Sequence, residues 1–377
     1  MKGFWQKSYV RENESMTLNQ TYLVDLPEHG LLGSLLIRIS GTQKSAYGQD
    51  GGDWRIVDKI TSIKILGDQS TVIKSLTGYQ AQGVSAYDQN VMSPSMWRNY
   101  AAAVQYEYLL INFGRWLGDT EFGLDLGKFR NVQLQLTNDA SSSTEFADLS
   151  ISIMGYFLRE APSLAFFGYM QTENWREWTT VSDETKYLEL PVDRLIRRLF
   201  LQAVAPVSST LDTTGIHNMM DDIDLSLDTG VIQVYKGGLD DLLSDNVYAN
   251  GRPWLTWGSP YMNADKGIDM GFGRTLGFVA GPSSADGAGA GTILTPEGGN
   301  TNRHQRMETY EADHPAQIVV CGNAPFGLAI VSFDLDWTPE GWLDPEARKT
   351  VKLNIHTRSG SGYAGGTNAV ILDRLVR

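Results

Sequence analysis

The sequence predicts an all-β protein built from two tandem copies of one antiparallel domain, with a few short helices in its loops. Three observations carry this reading. Apolar and polar residues alternate in short segments along the whole chain, turn formers abound with 39 glycines and 13 prolines in 377 residues, and three landmarks recur in the same order in the second half. Alternation is cleanest at 132–136, 222–228 and 351–356, and it returns at 104–108, 149–153 and 333–337. Each segment has one apolar and one polar face, as a half-buried antiparallel strand requires.

Helical signals are few. Ser93-Pro94 has the form of an N-cap followed by proline at the first helical position and predicts a short helix over 96–103. Asp344-Pro345 repeats the device before Glu346-Ala347-Arg348, and a third helix is expected over 239–248, ending before Gly251. The alternating strands between them argue against βαβ crossovers, whose strands are buried on both faces.

The internal repeat turns this list of strands into an architecture. Tyr22-Leu23-Val24-Asp25-Leu26-Pro27 is echoed by Tyr187-Leu188-Glu189-Leu190-Pro191 about 165 residues later. An apolar strand follows each, at 35–39 and 199–203, and then Ile63-Lys64-Ile65 finds a counterpart in Ile223-Asp224-Leu225. The chain is therefore expected to divide into 1–160, with an N-terminal arm, and 185–377. The apolar stretch 161–184, with Phe166, Phe167, Tyr169, Trp175 and Trp178, reads as a packed connector, and 280–302, rich in Gly, Ala and Ser, as a long exposed loop.

Composition excludes several classes. Apolar residues at 42% support sizeable cores, so a disordered chain is ruled out. A net charge of −13 opposes attraction to phosphate backbones, and direct nucleic-acid binding is not expected. The single cysteine, Cys321, has no partner for a disulfide, and its setting after Ile318-Val319-Val320 reads as core. No apolar run approaches the ~18 residues of a membrane span and no secretory signal opens the chain, so synthesis in the cytoplasm is expected.

Catalytic motifs are missing: there is no Gly-x-Ser-x-Gly, no P-loop, no His-Glu-x-x-His and no EF-hand loop. The five histidines, His29, His217, His304, His314 and His356, stand singly and read as surface or loop residues. Asp221, Asp222, Asp224 and Asp228 lack the convergence that a calcium loop needs. Alternation sends the last three to one solvent face, read as the charged edge of a sheet. Glu173 and Glu177 beside Trp175 and Trp178 have the makings of a glycan groove, against a plainer reading as a helical turn that docks tryptophans between the two domains. Arg194, Arg197, Arg198, Arg374 and Arg377, with Lys2, Lys7 and Arg11, would form a basic base if both chain ends lie on one side. Such a base suits anionic lipid headgroups, with ordinary surface salt pairs as the alternative. No catalytic, cofactor or metal residues are assigned.

In the first half, Ile37-Arg38-Ile39-Ser40-Gly41, 60–66, 72–76 and Leu109-Leu110-Ile111-Asn112-Phe113-Gly114-Arg115 follow an early strand at 22–26. In the second, Arg198-Leu199-Phe200-Leu201-Gln202 and 222–228 precede Leu239-Asp240-Asp241-Leu242. In this order and duplication the chain resembles the double jelly-roll major capsid proteins of icosahedral viruses with an internal membrane, the lineage of tectiviruses and adenoviruses. The resemblance implies two tandem eight-stranded antiparallel jelly rolls and a structural, non-catalytic role in the virion shell. It further implies a homotrimer forming a pseudo-hexameric capsomer, with neighbouring capsomers, minor capsid and vertex proteins and internal membrane lipids as partners. A carbohydrate-binding or carbohydrate-cleaving double β-sandwich is the competing class, and a vertex or receptor-binding protein a third.

Overall fold

The computed structural model describes residues 3–44, 55–95, 104–141, 145–160, 166–204, 216–250, 253–258, 261–262, 267–269, 272–282, 294–295, 306–309, 314–359 and 365–377. Eight strands build the first roll: Phe4–Met16 (β1), Thr21–Asp25 (β2), Leu31–Gln43 (β3), Ile60–Gly67 (β4), Thr71–Leu76 (β5), Val104–Asn112 (β6), Val132–Asn138 (β7) and Phe146–Arg159 (β8). A helix, Gly78–Gln89 (α1), lies between β5 and β6. The second roll repeats the scheme with Tyr169–Thr179 (β9), Thr185–Glu189 (β10), Ile196–Val204 (β11), Met220–Leu227 (β12) and Ile232–Gly238 (β13). There follow the helix Leu239–Asn250 (α2) and the strands Leu328–Ser332 (β14), Val351–Thr357 (β15) and Thr367–Val376 (β16).

Each roll is two antiparallel sheets face to face. The orders β1-β8-β3-β6 and β2-β7-β4-β5 in the first recur as β9-β16-β11-β14 and β10-β15-β12-β13 in the second. Alternate residues fill the space between the sheets: Leu35, Ile37, Ile63, Ile65, Leu134 and Leu136 in one roll, Leu199, Leu201, Ile223, Leu225, Leu353 and Ile355 in the other. The copies agree down to their irregularities. Val10 bulges from β1 and Trp175 from β9; Gly33 from β3 and Arg197 from β11; Ile73 from β5 and Val234 from β13. A bulge re-aims the side chains beside it, so its retention at matching positions marks a built feature. Ile63–Ile65 and Ile223–Leu225 thus occupy equivalent strands, as the repeat predicts. The register pairs Tyr22 with Leu136 and Lys186 with Ile355, so Tyr187 matches Leu23 and not Tyr22.

Several local expectations change. Residues 169–179 form a strand, not a helical turn, because extended pairing with β16 satisfies their backbone and seats Trp175 and Trp178, both half-buried, on the second core. The segment 333–337 leaves the sheet: Phe333 N donates to Arg197 O at 3.0 Å, and Asp334 is then drawn inward by Arg197. The Asp344-Pro345 device makes a turn only, with Asp344 accepting from Glu346 N at 3.1 Å. Strand β12 lies between β15 and β13, so Asp222, Asp224 and Asp228 do not mark a sheet edge. Cys321 is half-buried in place of core. The helix expected over 96–103 lies outside the described residues, whereas α2 covers 239–248 as expected.

Helix α1 was not anticipated. Thr77 caps it in a capping box, its side chain accepting from Gln80 N at 3.3 Å while Gln80 Oε1 accepts from Thr77 N at 3.0 Å. It has no apolar stripe because all but one of its residues are buried, wedged between the two rolls.

Contacts from strand to strand place both termini at one end. Phe4 pairs with Arg159 and Leu31 with Leu158; Gly33 O and Phe113 N bond at 2.9 Å, Phe113 O accepts from Met170 N at 2.7 Å, and Met170 pairs with Leu375. Strands β5 and β13 run away from this base, so the strands between α2 and β14, among them Phe272–Pro282 and His314–Pro325, spring from the opposite end. Of the loop expected at 280–302, residues 280–282 and 294–295 are in strands; 283–293 and 296–302 lie outside the described residues.

Candidate functional site at the joint between the rolls

The rolls are joined by backbone. Strand β5 of the first pairs in parallel with β9 of the second, Thr172 opposite Lys74 and Glu173 opposite Ser75, which makes one eight-stranded sheet, β2-β7-β4-β5-β9-β16-β11-β14. Beside this joint the outer face of β11 and β16 meets α1. The Tyr87 ring stands edge-on to Phe200 at 5.8 Å and its hydroxyl donates to Leu328 O at 2.8 Å. With both faces covered, every residue of β11 but the last is buried, Arg197, Arg198 and Gln202 included. At the base, the loop after β6 locks to the loop after β14: Trp116 and Trp337 lie 5.6 Å apart, and Arg115 donates to Trp337 O at 2.6 Å.

A charge cluster lies at the centre of this joint. Arg197, 1% exposed, reaches Asp334 at 2.6 Å and Asp88 and Asp373 at 3.3 Å each, and donates to Arg115 O at 3.1 Å. Arg198 contacts Asp88 and lies 3.6 Å from Asp373. Lys74 donates to Thr172 at 2.7 Å, and Thr172 to Asp373 at 2.9 Å. Three cations thus face three carboxylates supplied by α1, β5, β11, β16 and the loop after β14. Trp342 Nε1 donates to Asp334 at 2.7 Å and Asn112 to Asp88 at 3.0 Å, completing the carboxylates' partners. Burial alone would pull the Arg197 guanidinium down; the three carboxylates outweigh it and hold it above its ordinary value. Lys74 goes the other way, lowered to about 8 chiefly by burial, with Arg197 and Arg198 adding to the effect against Asp373 and Asp88.

The sequence candidates distribute as follows. Arg197, Arg198 and Arg374 are buried, so they form no lipid-facing base, though Arg374 reaches the exposed Asp193 at 2.9 Å; Arg194 and Arg11 are half-buried, and Lys7 and Arg377 exposed. Glu173 pairs with Arg374 and Glu177 accepts from Asn174 at 3.0 Å, while their tryptophans pack on the core, so no paired-acid groove forms. Asp228 accepts from Lys349 N at 2.8 Å and Asp221 pairs with Arg358 at 3.1 Å. His29 is exposed, and His356 lies 3.4 Å from Asp183. Among the described residues no group of His, Cys, Asp and Glu could hold a metal ion. The cluster had no legible signal in the arginines: Arg197 bulges from β11, so it and its neighbour Arg198 reach the same Asp88 and Asp373 although alternation would send them to opposite faces. Asp88, Asp334 and Asp373 gave none, since nothing local says that they converge.

No family model and no curated protein matches the sequence. Solved structures do. The chain matches the STIV MCP with a TM-score of 0.60 at 10% identity over 99% of this chain and 97% of that one. The major capsid protein P2 from bacteriophage PM2 follows with a TM-score of 0.53 at 8% identity, covering 99% and 98%. The PBCV-1 virus capsid gives 0.56 at 8%, covering 99% and 93%. The fold is the double jelly roll. In this double jelly roll the joint presents ion pairs already matched to one another, an arrangement that holds the two domains at one angle.

Lys74 makes the joint sensitive to alkali. Between the folded value of about 8 and the ordinary 10.5, the unfolded chain holds a proton that the folded chain has lost. Stability therefore rises with pH across this window, by about 3 kcal/mol in all, and falls back as pH drops through 8. Lys74→Met is expected to be at least as stable as the wild type at pH 7 and to lack this rise. Urea unfolding of both proteins from pH 7 to 10 measures the difference.

Proposed function

We propose that this protein is a major capsid protein, structural and non-catalytic, that trimerises into pseudo-hexameric capsomers and tiles an icosahedral virion shell. The observation that carries the proposal is the match of the whole double roll, end to end, to three capsid structures. The architecture supports it physically. One sheet continuous across both rolls, pinned by buried ion pairs, makes a stiff two-domain prism, and three such prisms supply six similar lateral faces. The working division is 1–160 and 185–377, with 161–184 between them contributing β9 to the second roll. Minor capsid and vertex proteins are the further partners in this reading. Membrane lipid would lie under the base, where Arg377, Phe167, Leu335 and Trp337 are exposed near both termini. No helix among the described residues is long and apolar enough to cross a membrane.

Light scattering on the purified protein tests the reading. Three copies of a 41.7 kDa chain give a particle of about 125 kDa, with a hexagonal outline in negative stain. A monomer at every concentration, up to those at which shells would form, would refute it.

A further inference from the structure

We propose that the joint inside the chain is repeated between chains: the outer edge of β13 and the exposed face of α2 of one copy dock on β1 and the outer face of the β1-β8-β3-β6 sheet of the next. This rests on the trimeric reading above and names the surface that makes it.

Matching bulges assign every residue of the joint a counterpart. On the donor side, β5 with α1 corresponds to β13 with α2, so Lys74 matches Tyr235 and Tyr87 matches Tyr248. On the acceptor side, β9 corresponds to β1, and Phe200, Ile330 and Ile371 correspond to Leu36, Leu110 and Met154. Inside the chain both sides are covered. At the counterparts they are open: β13 and β1 are the outer strands of their sheets among the described residues.

Side chains point to the same conclusion. Tyr87 is 2% exposed on Phe200, whereas Tyr248, the same residue type at the same helical position, is 84% exposed. Phe200, Ile330 and Ile371 are buried beneath α1, whereas Leu36, Leu110 and Met154 form an apolar patch that is only half-covered. A tyrosine without a seat and a seat without a tyrosine occur on opposite sides of one chain. The glutamine of the joint is also duplicated. Gln171 accepts from Arg374 at 3.1 Å and donates across the joint to Val72 O at 2.6 Å. Its counterpart Gln6 accepts from Arg159 at 2.8 Å and is exposed on the open edge of β1, opposite the expected position of Gln233. The Lys74–Thr172 contact is mirrored with roles exchanged, as Tyr235 would face Lys7.

Such a contact is heterologous, one patch on its complement, and repeats around a ring until it closes. The occupant of each surface is therefore a second copy of this chain.

Tyr248→Asp and Gln6→Ala alter exposed side chains, so each variant should fold with the circular-dichroism spectrum of the wild type. Sedimentation is expected to show the wild type and Tyr187→Asp as trimers, Tyr187 being an equally exposed aromatic, 75%, on another edge. Tyr248→Asp should be monomeric at the same concentration, and Gln6→Ala about tenfold weaker in association per contact. Oxidation of mixed Lys236→Cys and Ser8→Cys chains should yield disulfide dimers that neither yields alone. A trimer that withstands Tyr248→Asp and gives no mixed cross-link would overturn this interface and leave the capsid reading standing. A monomeric wild type would overturn both.

Discussion

Arg197→Met is expected to cost about 3–5 kcal/mol of folding stability, the usual price of removing one partner from a buried ion cluster. The guanidinium serves three carboxylates, and Asp334 has no other cation within salt-bridge distance among the described residues. Methionine fills much of the volume, so the loss is electrostatic rather than a cavity, and Arg198 and Lys74 are left to balance Asp88, Asp334 and Asp373. A second consequence separates this from ordinary destabilisation. The cluster sits between the rolls, so the variant should lose the fixed angle between them, and the trimers proposed above should show a less regular outline in negative stain than those of a core variant of equal stability. Urea unfolding gives the energy. A change under 1 kcal/mol would mean that the charges are solvated in solution.

Gly168→Ala is expected to cost about 2–5 kcal/mol, more than any exposed substitution. Gly168 opens β9 at φ +152°, where L side chains are strained, and a Cβ there would fall 2.2 Å from Val376 O. That oxygen belongs to the last strand pair of the second roll, Tyr169 opposite Val376, and Gly168 O accepts from Gly123 N of the first roll at 2.9 Å. No flexible side chain can yield, so β16 must shift or the crossing from the first roll must open. Equilibrium unfolding of the alanine variant, with Gly230→Ala as a comparison whose Cβ meets nothing within 4 Å, isolates the steric part from the dihedral part.

Much of the fold was legible because sheet patterns are local. Alternation at 132–136, 222–228 and 351–356 became β7, β12 and β15, since a strand with one wet face must alternate whatever lies elsewhere in the chain. The repeat was legible for the same reason: two copies with the same inward positions preserve the same period and order. Three features were decided only by the tertiary structure. Helix α1 is buried on all sides, so it carries no amphipathic signature, and only its Thr77 to Gln80 capping box spoke for it. Strand β9 was hidden in an apolar stretch because its two neighbours, β5 and β16, come from residues about a hundred earlier and two hundred later. The arginines were misplaced for the deepest reason. Whether a charge is solvated or buried depends on which carboxylates reach it, and Asp88, Asp334 and Asp373 are brought to Arg197 by three separate elements whose meeting no local pattern encodes. By itself the sequence determined many of the strands, their inward faces and their duplication. Long-range pairing decided how the two copies are joined, because the energy of a buried charge lies in its partners and not in its neighbours along the chain.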